Sequence, residues 1–270
     1  MPRLSRPEFR RLVAAVRTML KESDSIVLGG LSRGRARRKA DDSEVTSADQ
    51  RAERLLRRLL RARWPGDALC GEEYGGQITP RGRCWLIDPI DGTAAYVLGL
   101  PMFGSLLSLL VDGEPVFGCI HLPALRETTF AATGHGCWHS RGGARPRRVR
   151  VGAPRPLSQA KVGMTSVKER SWVDRPGGRE VAMLAREVGR LRMVGDCVQY
   201  ALLCRGVLDA AVDPFMQPWD IGALVPCVLE AGGSISDLHG ETSRLLERTS
   251  IVAASSTGLR REICRAAQVG

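Results

Sequence analysis

Trp85-Leu86-Ile87-Asp88-Pro89-Ile90-Asp91-Gly92-Thr93 is the stretch from which the reading of this chain grows. An apolar run of strand type ends abruptly in two aspartates three residues apart, and Pro89 stiffens the turn between them. Gly92 allows the backbone to approach a ligand closely. Thr93 follows with a hydroxyl, and Ala94-Ala95 can open a helix whose first amides, those of Gly92 and Thr93, face an anion. One turn therefore offers metal-ligating carboxylates beside a cradle for a phosphate.

Working outward, the same apolar texture continues through Ser105 to Val111, Val116 to Ile120 and Thr128 to Ala131, which read as strands. Asp112-Gly113 between two of them signals a hairpin. Upstream, Pro7 to Lys21 carries Phe9, Leu12, Val13, Val16 and Leu20 at helical spacing. The Gly- and Arg-rich stretch Leu28 to Ser43 reads as a loop. Thr46 or Ser47 then caps a second helix with Ala48, Ala52, Leu55, Leu56 and Leu59 as its buried stripe. Asp49 falls in the first turn, where a carboxylate is electrostatically favoured. Downstream of the basic segment Arg141 to Arg150, helix and strand alternate. Val181 to Val188, Val198 to Cys204, Ile221 to Glu230 and Leu259 to Ala267 are expected as helices, Leu208 to Val212 and Ser250 to Ala254 as strands. The pattern predicts a layered α/β fold, with an antiparallel-rich N-terminal lobe over 1–145 and an α/β lobe over 146–270 forming one catalytic unit.

Bulk properties narrow the function classes. The 270 residues are 43% apolar, enough for a large core. No apolar run approaches bilayer length, and the charged N-terminus lacks a secretory pattern, so a cytoplasmic location without membrane partners is the default expectation. Eight scattered cysteines with no C-x-x-C pair read as reduced thiols. His135, Cys137 and His139 can in principle hold zinc, although a short polar turn explains them equally. The net charge of +11 is carried mainly by arginine, clustered at 33–39 and 141–150. It favours anionic partners, yet no nucleic-acid-binding signature accompanies it, so solvated faces are the simpler reading.

Further acids stand where they can join Asp88 and Asp91. Glu72 and Glu73 lie in the glycine-flanked turn Gly71-Glu-Glu-Tyr-Gly-Gly76, and Asp220 opens an apolar helix after Trp219. Two carboxylates about 4 Å apart repel by roughly 4 kcal/mol at an effective dielectric near 20. Convergence therefore requires either divalent cations, for which hard oxygen donors favour magnesium, or protonation of some members.

Taken in order, Val45-Thr46-Ser-Ala-Asp49, Gly71-Glu72-Glu73, Asp88-Pro-Ile-Asp-Gly-Thr93 and Trp219-Asp220 leading to Glu230-Ala-Gly-Gly233 resemble the motifs of the inositol monophosphatase family over nearly the whole chain. The resemblance implies a layered α-β-α-β-α sandwich, a homodimer, and two or three Mg2+ ions acting on a small phosphorylated metabolite. By it, Glu72, Asp88 and the Ile90 carbonyl bind one metal. Asp88, Asp91 and Asp220 bind a second, and Glu72 touches a weaker third through water. Asp49 and Thr93 orient the nucleophilic water, and Asp91, Gly92 and Thr93 surround the phosphate. Within the family, Gly195-Asp196-Cys197 and Val212-Asp213-Pro214 look more like the histidinol-phosphate phosphatase branch than the inositol branch. That implies acceptance of an amine or imidazole by Asp196 and Asp213. Asp196 reads equally as the cap of the following helix, and Asp213 as a contact to a sugar or inositol hydroxyl. Ala94 stands where the histidinol-phosphate branch often has a polar or basic residue.

Overall fold

The computed structural model describes residues 3–31, 37–38, 44–165 and 184–268. Helix α1 spans Arg6–Gly30 behind a capping box in which Ser5 and Glu8 satisfy each other's amides. It is longer than the sequence periodicity indicates. Ser23 and Val27 continue its buried face, so residues 28–30, expected in a loop, are helical. Short strands β1 (Arg37–Arg38) and β2 (Glu44–Val45) pair antiparallel across the basic stretch; residues 32–36 and 39–43 of the expected loop lie outside the described residues. Helix α2 (Ser47–Arg63) starts at Thr46, which resolves the choice of cap.

A seven-stranded sheet follows in the order β3 (Ala68–Gly71), β4 (Arg83–Asp91), β5 (Gly104–Val111), β6 (Glu114–Leu122), β7 (Glu127–Ala132), β8 (Gly136–Arg141) and β9 (Arg147–Val149). Only β3 and β4 are parallel; the remaining neighbours are antiparallel. The β5–β6 connection is the hairpin signalled by Asp112-Gly113, with φ of 52° and 81°. The five-residue helix α3 (Thr93–Val97) leaves the end of β4.

The second sheet has five strands, in the order β11 (Arg190–Met193), β10 (Lys161–Met164), β12 (Ala210–Asp213), β14 (Ile251–Ala254) and β13 (Ser234–Ser236). A helical turn at 184–187 lies within the expected Val181 to Val188 helix, whose first three residues fall outside the described set. Helices α4 (Asp196–Cys204), α5 (Pro218–Glu230) and α6 (Thr257–Gln268) complete the chain.

Period-2 alternation in β5 sends neighbouring side chains to different layers. Leu107 and Leu109 pack with Trp85, Phe117 and the α1–α2 stripe of Leu12, Val16, Leu20, Leu56 and Leu60. Leu106, with Ile120 and Ala131, faces α4 and α5, which also cover Ala211, Ile251 and Ala253 of the second sheet. The opposite face of that sheet, Val162, Val212 and Val252, is sealed by Leu259 and Ile263 of α6. The layers therefore run α-β-α-β-α. Helix α5 is apolar on nearly every side because it lies between the two sheets. It rests on β6 so closely that a Cβ at Gly118 would come within 2.1 Å of the Ala223 carbonyl oxygen. Among the described residues, no helix is long and apolar enough to cross a membrane.

Candidate active site

Two residues three apart on a regular strand point to opposite faces, so Asp88 and Asp91 could not serve one site on an undistorted β4. The register against β5 shifts between Asp88, opposite Leu106, and Asp91, opposite Gly104. Pro89 sits in that irregularity, where its missing N–H costs no ladder bond. The Ile90 amide turns back to donate to Asp88 Oδ1 at 3.0 Å. The bulge thus brings both acids to one side.

Asp220 reaches them from the first turn of α5. Its carboxylate closes a capping box, accepting the Gln217 amide at 2.7 Å. Carboxylate oxygens of Asp88, Asp91 and Asp220 all lie within 4.8 Å of one another, the one such cluster of three or more metal-ligating residue types among the described residues. At that spacing each ionised pair repels by about 3.5 kcal/mol at an effective dielectric near 20. Burial and the neighbouring charges both weigh against ionisation here. Burial, then the charges of Glu72, Asp91 and Asp220, push Asp88 well above the usual carboxylate range. Burial, then Asp196 and Asp220, do the same to Asp91, against a bond from Cys197. Asp220 rises to about 7 through burial, with the charge of Glu72 adding to it. Glu72 lies outside the 4.8 Å trio but stands near enough for its charge to act on two of its members. A divalent cation among hard carboxylate oxygens turns this repulsion into attraction, so the donor set fits one.

The other expected site residues surround this cluster. Gly92 holds φ 90°, a left-handed conformation favouring glycine, and a Cβ there would meet Asp196 Oδ2 and the Met102 carbonyl oxygen at 2.9 Å. The Thr93 hydroxyl lies 3.0 Å from the Ile90 carbonyl oxygen and 3.4 Å from Asp49 Oδ1. Asp49 is buried and uses its other oxygen in the α2 capping box, accepting the Thr46 amide at 2.9 Å and the Thr46 hydroxyl at 2.5 Å. Asp196, at φ 50°, makes no capping bond to α4; its carboxylate instead lies beside Gly92 and 3.5 Å from the Thr165 hydroxyl. Burial raises it to about 6. Asp213 is buried at the end of β12, accepts the Phe215 amide at 3.3 Å, and is held well up by burial and then by Asp196.

The proposed zinc group does not assemble. His135 Nε2 pairs with the Leu4 carbonyl oxygen at 2.7 Å and its ring stacks on Phe9, while His139 Nδ1 lies 3.2 Å from the Thr129 hydroxyl. Cys137 faces Cys204 and Cys227 in the core. All eight cysteines are free and buried, as reduced structural thiols should be.

A sequence model described as the inositol monophosphatase family matches residues 10–269. The chain belongs to the inositol monophosphatase family. Among its relatives, a histidinol-phosphatase of Mycobacterium tuberculosis is 41% identical over 203 residues, covering 75% of this chain and 77% of the relative. A histidinol-phosphatase of Chlorobaculum parvum is 36% identical over 218 residues, 81% of each. A Thermotoga maritima IMPase superposes with a TM-score of 0.83 at 27% identity, over 96% of both chains. The fold is that of the family, and the chain is accordingly a phosphoric monoester hydrolase.

Sequence reading missed three residues that hold these acidic turns in place. The Cys197 amide donates to Asp91 Oδ2 at 2.5 Å, so the start of α4 helps to fix a β4 acid. Glu53 and Arg57 are buried on α2, in the same helical face as Ala52, Leu56 and Leu60. Charged residues at apolar-stripe positions were the available signal, and the spacing Asp49, Glu53, Arg57 repeats every four residues.

Proposed function

We propose that this chain hydrolyses a small phosphate monoester with Mg2+, most specifically L-histidinol phosphate to L-histidinol. The observation that carries the reading is the meeting of Asp88, Asp91 and Asp220 within 4.8 Å beside the Gly92 turn, from elements in opposite halves of the chain. Glu72, Asp88, the Ile90 carbonyl, Asp91 and Asp220 are the proposed metal donors. Bound there, the metal supplies charge neutralisation for the phosphoryl group and its leaving oxygen, and acidifies a water. The residues of the chain do the positioning. Gly92, lacking a side chain at φ 90°, leaves room for a phosphoryl oxygen near the amides that begin α3. Asp49, anchored by Thr46, presents one oxygen toward the Thr93 hydroxyl, and the pair fixes the attacking water by hydrogen bonding. Asp91 is steadied by the Cys197 amide.

The histidinol assignment draws on the two relatives named histidinol-phosphatase and on Asp196, an acid near Gly92 outside the metal trio. A carboxylate there is suited to an amine or imidazole rather than a neutral polyol. Steady-state kinetics on histidinol phosphate, inositol 1-phosphate and adenosine bisphosphate test it. The expected result is the highest kcat/KM on histidinol phosphate and no turnover after metal chelation. A clear preference for either of the other two rejects the substrate assignment, and full activity in chelator rejects the metal reading.

A further inference from the structure

We infer that Glu53, locked by Arg57, is a positioning residue that sets the place of Glu72 and thereby tunes metal affinity. This rests on the proposed role of Glu72 as a metal donor. Glu53 is fully buried in the middle of α2, and a carboxylate removed from water is costly unless paired and hydrogen-bonded. It is both. Arg57 Nε donates to Glu53 Oε1 at 2.7 Å, the Glu73 amide donates to Oε2 at 2.7 Å, and the Tyr74 amide lies 3.3 Å from Oε1. The Arg57 guanidinium also donates to the Gly75 carbonyl through Nη2. Glu53 and Arg57 therefore grip residues 73, 74 and 75 of the turn that begins with Glu72.

The opposite side of that turn is fastened to the strand bearing the aspartates. The Glu72 amide donates to the Ile87 carbonyl at 3.1 Å, one residue before Asp88, and the Gly71 amide donates to the Gly75 carbonyl at 3.0 Å. Glu72 is thus suspended between β4 and α2. Gly71 shows how close the grip is, since a Cβ there would fall 2.3 Å from Glu53 Oε1. The i,i+4 pair adds no net charge to an already acidic region, which a lone carboxylate would. One turn earlier on the same helix stands Asp49, facing Thr93. A single rigid helix therefore registers Glu72 and the Asp49–Thr93 pair relative to each other.

Partners that orient a metal ligand typically change metal affinity by 10- to 100-fold when removed, and this is the effect assigned to Glu53. Calorimetric titration of Mg2+ into the full chain without substrate reads it directly. Glu53→Gln and Arg57→Lys are compared with wild type and with Glu230→Gln. Glu230 does similar work elsewhere, accepting the Gly134 and Gly136 amides at 2.7 and 2.6 Å from the far end of α5. The expected result is about 10- to 100-fold weaker Mg2+ binding in Glu53→Gln and about 10-fold in Arg57→Lys, with Glu230→Gln losing thermal stability but keeping wild-type affinity. Should Glu53→Gln fail to fold, Arg57→Lys decides alone, because lysine keeps the charge but cannot span both Glu53 and the Gly75 carbonyl. Affinities within twofold of wild type in the folded variants, or an equal loss in Glu230→Gln, overturn the inference. Absence of Mg2+ binding by wild type itself would instead overturn the proposed metal chemistry from which it starts.

Discussion

Replacing Asp220 by asparagine should abolish turnover and yet make the metal-free protein more stable at alkaline pH. Asp88, Asp91 and Asp220 present oxygens within 4.8 Å of one another. With three pairs at about 3.5 kcal/mol each, full ionisation would cost about 10 kcal/mol, comparable to the whole stability of a domain. Without metal the native state avoids this by holding protons, and at Asp220 burial, with the charge of Glu72 adding to it, raises the carboxyl from the ordinary 3.8 to about 7. The linkage then has a definite sign. Below about pH 4 native and unfolded chains both keep this proton and it contributes no difference. Between pH 4 and 7 the unfolded chain releases the proton while the native state retains it, so stability is lost as pH rises. Three pH units at about 1.4 kcal/mol each give roughly 4 kcal/mol. Asparagine carries no such penalty, and its side-chain oxygen can still accept the Gln217 amide that caps α5. Urea unfolding in chelator at pH 4.5 and pH 8 measures the difference. Asp220→Asn should gain on wild type by roughly 3 kcal/mol more at pH 8 than at pH 4.5, since part of the penalty is already present at pH 4.5. Saturating Mg2+ should stabilise wild type more than the variant, which keeps the proposed Glu72, Asp88 and Ile90 donors but loses Asp220. A variant no more stable than wild type at pH 8 without metal would refute the argument that Asp220 is held protonated by its burial among acidic neighbours.

Two further outcomes test the surroundings of the cluster. Gly92→Ala places a Cβ 2.9 Å from Asp196 Oδ2 and from the Met102 carbonyl oxygen at a φ of 90°, so urea denaturation should register a loss of about 1–3 kcal/mol together with strongly reduced turnover; wild-type stability would contradict the geometry. Thr93→Val keeps the shape and removes the hydroxyl that lies near Asp49 and Ile90, so kcat should fall by about 10²–10⁴ while calorimetric Mg2+ affinity stays unchanged; a kcat within threefold of wild type would remove Thr93 from the water-positioning pair.

The elements legible in the sequence were those with strong periodicity or a turn of definite chemistry. The Asp112-Gly113 hairpin and the apolar run of α5 stand where the pattern puts them, and α2 buries Ala48, Ala52 and Leu56 as expected, but its inward face turns to Leu60 and leaves Leu55 and Leu59 half-buried. The strands that escaped notice are short or edge-like. Arg190–Met193 is largely exposed, with two arginines in four residues, and pairs only along β10. Arg147–Val149 lies inside a run of arginines that reads as a solvated loop. Such strands are specified by a neighbour's open hydrogen-bonding edge rather than by their own side chains. The end of α1 was hidden for a related reason: Gly29 and Gly30 weaken the local propensity, while burial of Ser23 and Val27 against the body of the protein carries the helix onward.

At the site, residue types were readable and their meeting was not. Spacing alone places Asp88 and Asp91 on opposite faces of a strand, and it takes the bulge around Pro89 to unite them. Nothing local announces that Asp220 will arrive beside them; that depends on α5 being buried between two sheets. Glu53 and Arg57 were overlooked because a charged pair at helical spacing reads as a surface salt bridge, whereas these two face inward and answer to the Glu73, Tyr74 and Gly75 backbone.

The seating of α5 on β6 has a consequence for how such a scaffold diversifies. With no side chain between helix and strand at Gly118, Asp220 has no slack in which to drift. Asp88 and Asp91 are equally fixed by the paired ladder of β4. Asp196 and Asp213 come instead from the first residue of α4 and the last of β12, at the mouths of connecting segments. Under the proposed assignment, changes in those connections alter which ester is admitted without moving the proposed metal-binding acids, so ancestry is written in the interior and diet at its margins.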